Sequence, residues 1–512
     1  FCIVHFAIAI VGILAFRFVF RRAFLDLTEA GRAEGGERTL IVGAGNAGRM
    51  IVREIHNAKE QDDVNNPSKS IIPVCFVDDD LKKLNQKIEG IPVVGTCPEI
   101  VKICDEYRID NIIVALPSCE EDEKRKILDY CSATECKIKI IPYLGELLFD
   151  DGHTQLISQA KEIKIEDLLG RKPIEFDRKE IHDLINGKVC LVTGGGGSIG
   201  SELVRQIAKN DPKQIIIVDI YENNAYDIQQ ELVLEYGTKL NLVTLISSVR
   251  DYDKMELIFK TYRPELVFHA AAHKHVPLME NNIFGTFNVA TLAEKYKAKK
   301  FVMISTDKAV NPTNVMGATK RACEMIIQYK AQHSTDTEFV TTRFGNVLGS
   351  NGSVIPLFRR QIENGAPVTV THPDIIRYFM TIPEAVSLVL EAGAMAKGGE
   401  IFVLDMGAPV KITTLAENLI RMYGKVPYKD VPIIFTGLRP GEKLFEELLM
   451  DEEGLKSTQN KKIFIGNQIK IDETDMLSKL EVLKKTAEKN DSEKTVELLA
   501  ELVPTFCHKV ND

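Results

Sequence analysis

The stretch Lys188-Val189-Cys190-Leu191-Val192-Thr193-Gly194-Gly195-Gly196-Gly197-Ser198-Ile199-Gly200 constrains the fold more than any other part of this chain. A short apolar run leads straight into glycines spaced Gly194-x-x-Gly197-x-x-Gly200, and a helical stretch follows. Glycine lets a backbone turn sharply and approach a pyrophosphate. The N–H groups at the start of the next helix, with its positive dipole end, hold the phosphates. The following apolar run, residues 215–218, ends at Asp219, nineteen residues beyond Gly200. A carboxylate there accepts hydrogen bonds from a ribose and repels a 2′-phosphate. Loop, spacing and acid together predict a Rossmann unit that takes NAD rather than NADP. The expected cofactor contacts are Thr193, Gly194, Gly197, Ser198, Ile199, Gly200 and Asp219.

Further apolar runs at 242–246, 266–269, 301–304 and 339–343 alternate with helical segments, which predicts a doubly wound sheet of six or so parallel strands. After about residue 350 the alternation becomes irregular, as in a small substrate-binding lobe, and residues 472–512 read as helices. The same pattern occurs earlier in the chain. A run at 39–42 enters Gly43-Ala44-Gly45-Asn46-Ala47-Gly48, a helical stretch continues to about residue 58, and strands follow at 71–77, 111–116 and 137–141. Asp78 ends the second of these strands. No cluster resembling an active site lies downstream, so these glycines serve either a bound nucleotide or the packing of the turn. The expected fold class is α/β, with two Rossmann-like doubly wound parallel-sheet domains. The expected order is the end of a transmembrane helix (1–22), a linker (23–37), a first Rossmann-like domain (38–149), a connector (150–187), a catalytic domain (188–465) and C-terminal helices (466–512).

The 512 residues are too many for one core, and a composition 45% hydrophobic and 27% charged is that of a globular protein. A net charge of -9 argues against nucleic acid as a partner, because a phosphate backbone needs a basic face. None of the ten cysteines lies in a CxxC pair, so no metal site is expected. Residues 1–16 are nearly all apolar, and Arg17, Arg21 and Arg22 follow. A signal peptide carries its basic residues before the apolar run. The order here predicts the last part of a transmembrane helix, with the rest of the chain on the cytoplasmic side.

The run 301–304 ends in Ser305-Thr306-Asp307-Lys308. Ligands of open α/β sheets bind outside the carboxyl ends of the strands, so these side chains are placed for chemistry. Next comes Asn314-Val315-Met316-Gly317-Ala318-Thr319-Lys320-Arg321. It resembles the Tyr-x-x-x-Lys helix of the extended short-chain dehydrogenase/reductase family, with Met316 at the tyrosine position. Methionine cannot transfer a proton. Three other blocks are Phe268-His269-Ala270-Ala271-Ala272-His273-Lys274-His275, Arg343-Phe344-Gly345-Asn346-Val347-Leu348-Gly349-Ser350 and Arg377-Tyr378-Phe379-Met380-Thr381; a fourth is Arg439-Pro440-Gly441-Glu442-Lys443.

Over roughly residues 37–465 these blocks closely resemble the membrane-bound nucleotide-sugar 4,6-dehydratases of bacterial polysaccharide and glycoprotein synthesis. Long, membrane-anchored members of that family also carry Met where shorter soluble ones carry Tyr. The resemblance implies NAD as cofactor and UDP-N-acetylglucosamine as substrate, with C5 retained. It also implies a bacterial inner-membrane location and a homo-oligomer. Asp307 is then the acid for the departing C6 hydroxyl, Lys308 the base at C5, and Thr306 a relay from the C4 oxygen. Lys320 is implied to bind the nicotinamide ribose. Asp251, Ala270 and Ala271 are implied as further cofactor contacts, although Ser247-Ser248 stands where relatives usually have Gly-Asp. Lys274, Asn346, Ser350, Arg377, Arg439 and Lys443 are candidates for the UDP sugar, since guanidinium and ammonium groups suit phosphates. A nucleotide-sugar 4-epimerase, a C5-inverting dehydratase and a non-catalytic NAD-sensing protein remain open beside this reading.

Overall fold

The computed structural model describes residues 36–60, 70–116, 119, 121–134, 136–141, 161–162, 178–273, 279–350, 352–423, 425–447, 454–466, 471–489 and 491–507. The expected membrane segment, the Leu168–Arg171 part of the connector, and Lys274 lie outside these residues. No helix among the described residues is long and apolar enough to cross a membrane.

Contacts divide the chain into two units: one of Phe1–Lys172 with Gly365–Pro367 and Ala416–Ile433, the other of Pro173–Asn364, Val368–Leu415 and Ile434–Asp512. In the first, β1 (Glu37–Val42) enters the glycine turn, and α1 (Asn46–Glu60) leads to β2 (Ile71–Val77). Then come β3 (Lys87–Ile88), β4 (Ile91–Gly95), α2 (Ile100–Tyr107), β5 (Asn111–Val114), α3 (Glu121–Ser132), β6 (Lys137–Ile140) and β7 (Lys161–Glu162). The sheet order is β3-β4-β2-β1-β5-β6-β7. Strands β4, β2, β1, β5 and β6 run parallel, and β3 and β7 are antiparallel edges. Leu40, Ile41 and Val42 are fully buried, as a parallel sheet covered on both faces requires. The short strands β3, β4 and β7 are not apparent in the sequence pattern.

The second unit opens with α4 (Arg178–Ile185), β8 (Val189–Thr193), α5 (Ser198–Ala208), β9 (Gln214–Asp219), α6 (Glu222–Tyr236) and β10 (Leu242–Ile246). It continues through α7 (Tyr252–Tyr262), β11 (Leu266–His269), α8 (Gly285–Lys295), β12 (Lys300–Thr306), α9 (Val315–His333) and β13 (Glu338–Phe344). Helix α10 (Ile382–Met395) and strands β14 (Ile401–Leu404), β15 (Leu455–Ser457) and β16 (Ile463–Gly466) follow. The sheet order is β10-β9-β8-β11-β12-β13-β14-β16-β15. Seven strands are parallel, and β16 and β15 add antiparallel pairs at one edge. The order reverses between β8 and β11, the switch point at which such sheets take ligands.

Helices α11 (Glu473–Ala487) and α12 (Ser492–Leu502) belong to the same unit. Met476, Leu480, Leu483, Leu499 and Phe506 join the core that contains Ala322, Ile326 and Ile327 of α9. Each such buried Leu or Ile contributes about 1.5–3 kcal/mol, so this hairpin supports the helix that carries Lys320.

Candidate active site

Strand β8 runs into the glycine loop at the center of the sheet. Gly194 adopts φ 69°, open to glycine at little cost, and a Cβ there would stand 2.7 Å from the Ala271 backbone. A Cβ on Gly200 would lie 2.0 Å from the Gly194 carbonyl oxygen. The loop therefore closes tightly over the start of α5, whose first turn holds Ser198, Ile199 and Gly200 and whose N-cap is Gly197. Asp219, at the end of β9, accepts from Gly196 N at 2.8 Å and from Tyr221 N at 2.9 Å. This arrangement fits a dinucleotide: amides at a helix start, a carboxylate at the next strand end, and backbone with no side chain in the way.

The Thr193 hydroxyl points the other way, 2.8 Å from His269 Nδ1. Burial, with Lys320 adding to it, pushes the His269 imidazole down to about 3, so it is neutral and ties β8 to β11. Ala270 and Ala271 continue from β11 beside Gly194. Asp251 caps α7, accepting from Lys254 N at 3.1 Å, a local role the sequence pattern did not anticipate.

The candidate reacting side chains lie at the carboxyl ends of β12 and β13 and the start of α9. Asp307 is fully buried. Its Oδ1 accepts from Thr306 Oγ1 at 2.8 Å and from Lys308 Nζ at 2.9 Å, while its Oδ2 has no hydrogen-bond partner among the described residues. A Cβ on Gly345 would stand 3.0 Å from that oxygen and 3.1 Å from Met406 Cε, so glycine lets the backbone come close to the carboxylate. Lys308 Nζ also donates to Asn346 Oδ1 at 3.0 Å. Asn314 caps α9 through Gly317 N at 2.9 Å. A Cβ on Gly317 would fall 2.1 Å from the Lys308 carbonyl, so glycine there lets the helix press against the Asp307–Lys308 turn.

Met316 lies in the first turn of α9. One turn later, buried Lys320 donates to the Ile304 carbonyl at 2.9 Å. Burial lowers the proton affinity of Lys320, and Cys323 and Glu324 partly counter it.

The substrate-side candidates differ in exposure. Arg439 is exposed. Arg377 is buried and already engaged: it donates to the carbonyls of Ile376 (2.7 Å), Lys443 (2.9 Å) and Leu444 (3.3 Å) and pairs with Glu442 at 3.4 Å. Its guanidinium thus holds the segment 442–444, where the sequence suggested a phosphate ligand. Lys443 Nζ reaches the Val310 carbonyl at 3.2 Å and Glu447 at 3.3 Å. Ser350 is buried in the turn after the short strand Asn346–Val347.

Glu446 escaped the sequence reading. Its side chain is largely buried, 3.7 Å from Arg377 Nε. Burial raises its proton affinity; Lys308 opposes this, Asp307 adds to it, and Arg377 and Lys443 oppose it. The only sequence signal was its place three residues beyond Lys443. A carboxyl with raised affinity stabilizes the fold fully below its unfolded value and loses that contribution as pH rises through the elevated value. Glu446→Gln should therefore flatten the decline of Tm as pH is raised from 4.5. Melting curves as steep as those of the wild type would remove Glu446 as a group protonated in the fold.

Residues 190–468 match the model of a family described as polysaccharide biosynthesis protein, and residues 1–142 match a CoA-binding domain. The chain is 50% identical over 440 residues to the probable polysaccharide biosynthesis protein EpsC of Bacillus subtilis, covering 84% of this chain and 71% of that one. It is 46% identical over 457 residues to the capsular polysaccharide biosynthesis protein CapD of Staphylococcus aureus, covering 88% and 74%. Among solved structures it is similar to Pen from Bacillus thuringiensis, at 35% identity and a TM-score of 0.50 over 55% of this chain and 89% of that one.

Proposed function

The chain belongs to the polysaccharide biosynthesis protein family, and from that premise we propose that it is an NAD-dependent hydro-lyase acting on UDP-N-acetylglucosamine. The product is the 4-keto-6-deoxy sugar with C5 retained, made for bacterial glycan or glycoprotein synthesis. The observation that carries this reading is Asp307 Oδ2, buried and without a partner among the described residues, beside Lys308 and ahead of a helix that bears Met316 in place of tyrosine. A 4-epimerase has no use for an acid at C6, whereas a dehydratase requires one.

Bound NAD supplies the acceptor for hydride from C4 and the donor of hydride to C6. Thr306, already donating to Asp307, passes the proton of the C4 hydroxyl to that carboxylate. The C4 ketone acidifies the C5 proton, and Lys308, acting as the neutral amine with Nζ held by Asn346, removes it and later returns it to the same face. Asp307 protonates the departing C6 hydroxyl through Oδ2, leaving water. Lys320 binds the nicotinamide ribose, and Met316 transfers no proton. Lys274, Ser350, Arg439 and Lys443 receive the UDP moiety, with Arg377 holding the backbone that presents Lys443. The apolar residues 1–16 followed by Arg17, Arg21 and Arg22 support attachment to the inner membrane from its cytoplasmic side.

Incubation with UDP-N-acetylglucosamine tests the reading. The expected product absorbs in alkali as a 4-ketone, and its proton NMR spectrum shows the C5 configuration of the substrate. UDP-N-acetylgalactosamine as product would overturn it in favor of a 4-epimerase, and NAD binding without turnover in favor of a sensing protein.

A further inference from the structure

Beneath the reacting groups lies a buried charged cluster that the chemistry above does not use. Glu324 sits on α9 one turn beyond Lys320 and is fully buried. Its carboxylate accepts from Ser305 Oγ at 2.6 Å, from Arg343 Nε at 3.1 Å and Nη2 at 2.8 Å, and from Arg321 Nη1 at 2.8 Å. Arg343 is itself fully buried. These contacts join three elements. Ser305 immediately precedes Thr306 on β12. Arg343 is on β13, three residues before Asn346, and Ser305 is its paired neighbor in the sheet. Helix α9 carries Met316 and Lys320.

We propose that Glu324 is a positioning residue: it pins the carboxyl ends of β12 and β13 to α9, so that Thr306, Asp307, Lys308, Asn346 and Lys320 keep the separation the reaction needs. The hydrogen bonds between β12 and β13 fix the strand register but not the pitch of the helix over the strand ends; the carboxylate does that. A buried carboxylate with two guanidinium partners is a costly way to achieve stability alone, because apolar side chains of similar volume often serve as well. Burial opposes ionization of Glu324, but Arg343 and Arg321, with the hydrogen bonds from Arg343 and Ser305, hold it at about 2. The clamp is therefore charged throughout the working pH range.

The inference rests on the reading of Thr306–Lys308 and Lys320 as the reacting groups. Its test uses the full chain with bound NAD and compares Glu324→Gln, Ser305→Ala and Ser305→Thr. Glu324→Gln should lower kcat about 10²-fold and Ser305→Ala about tenfold, with KM and NAD content within about twofold of wild type. Ser305→Thr, which keeps the hydroxyl, should restore most of the loss. Amide hydrogen exchange of peptides covering 301–309 and 341–348 should rise about tenfold in Glu324→Gln. Ser305→Ala leaves the ion pairs intact and keeps the test open should Glu324→Gln fold poorly. Unchanged exchange in these peptides, or a kcat that falls only in step with bound NAD, would overturn the proposal. A wild type that makes no 4-keto sugar would overturn the dehydratase reading instead, and the exchange measurement would still report on Glu324.

Discussion

Asp307→Asn should reduce formation of the 4-keto-6-deoxy sugar about 10²- to 10⁴-fold, the range expected when a positioned acid is lost, while bound NAD stays at the wild-type level. Asparagine matches aspartate in shape, and the site is fully buried, so packing changes little. What changes is proton capacity. Oδ1 can no longer take up a proton delivered through Thr306, and the Oδ2 position can no longer donate one to a leaving hydroxyl. The charge opposite Lys308 is also lost, although the amide oxygen can still accept a hydrogen bond from Lys308 Nζ, as Asn346 does. Absorbance of the product in alkali follows the rate, and NAD released on denaturation gives the cofactor content. A near-normal rate would remove Asp307 from the acid role.

Much of this site was legible in the sequence because its parts are local. A fully buried strand must be a run of apolar residues, and a tight turn that admits no Cβ must be glycine, so β8, Gly194 and Gly200 appear directly in the sequence. The same holds for Thr306–Lys308, which needed only the rule that ligands gather at strand ends. The structure differs where partners are distant in sequence. Arg377 looked like a phosphate ligand, but apart from the adjacent Ile376 carbonyl the groups that occupy it, Glu442 and the carbonyls of Lys443 and Leu444, lie sixty-five and more residues away. Glu324 and Arg343 are nineteen residues apart; Arg343 stands out only as a motif residue, and nothing in the sequence marks Glu324 as its partner. The edge strands β15 and β16 were missed because they follow the end of the regular alternation: β16 pairs antiparallel with β14, more than fifty residues earlier, and β15 pairs only with β16.

Gly200→Val is expected to abolish stable cofactor binding while leaving the sheet folded. The Cβ would stand 2.0 Å from the Gly194 oxygen, 2.7 Å from its carbonyl carbon and 2.8 Å from Gly195 Cα, all backbone atoms that no rotamer change can clear. Either the loop lifts or α5 moves away from it. Lifting the loop breaks the bond from Gly196 N to Asp219 and pulls the amides from the positions that meet the pyrophosphate. Moving α5 loosens Leu203, Val204 and Ile207 from the core they share with β8 and β9. The loop is the softer of the two, because β8 and β9 below it are paired along their whole length. The loss therefore falls on the ligand first. Bound NAD should drop more than about tenfold, which corresponds to about 1.4 kcal/mol of lost affinity, and turnover should recover in part when NAD is added in excess. Retention of a full complement of NAD by Gly200→Val would show that the cofactor sits elsewhere, and with it would go the assignment of Gly194, Gly197 and Asp219.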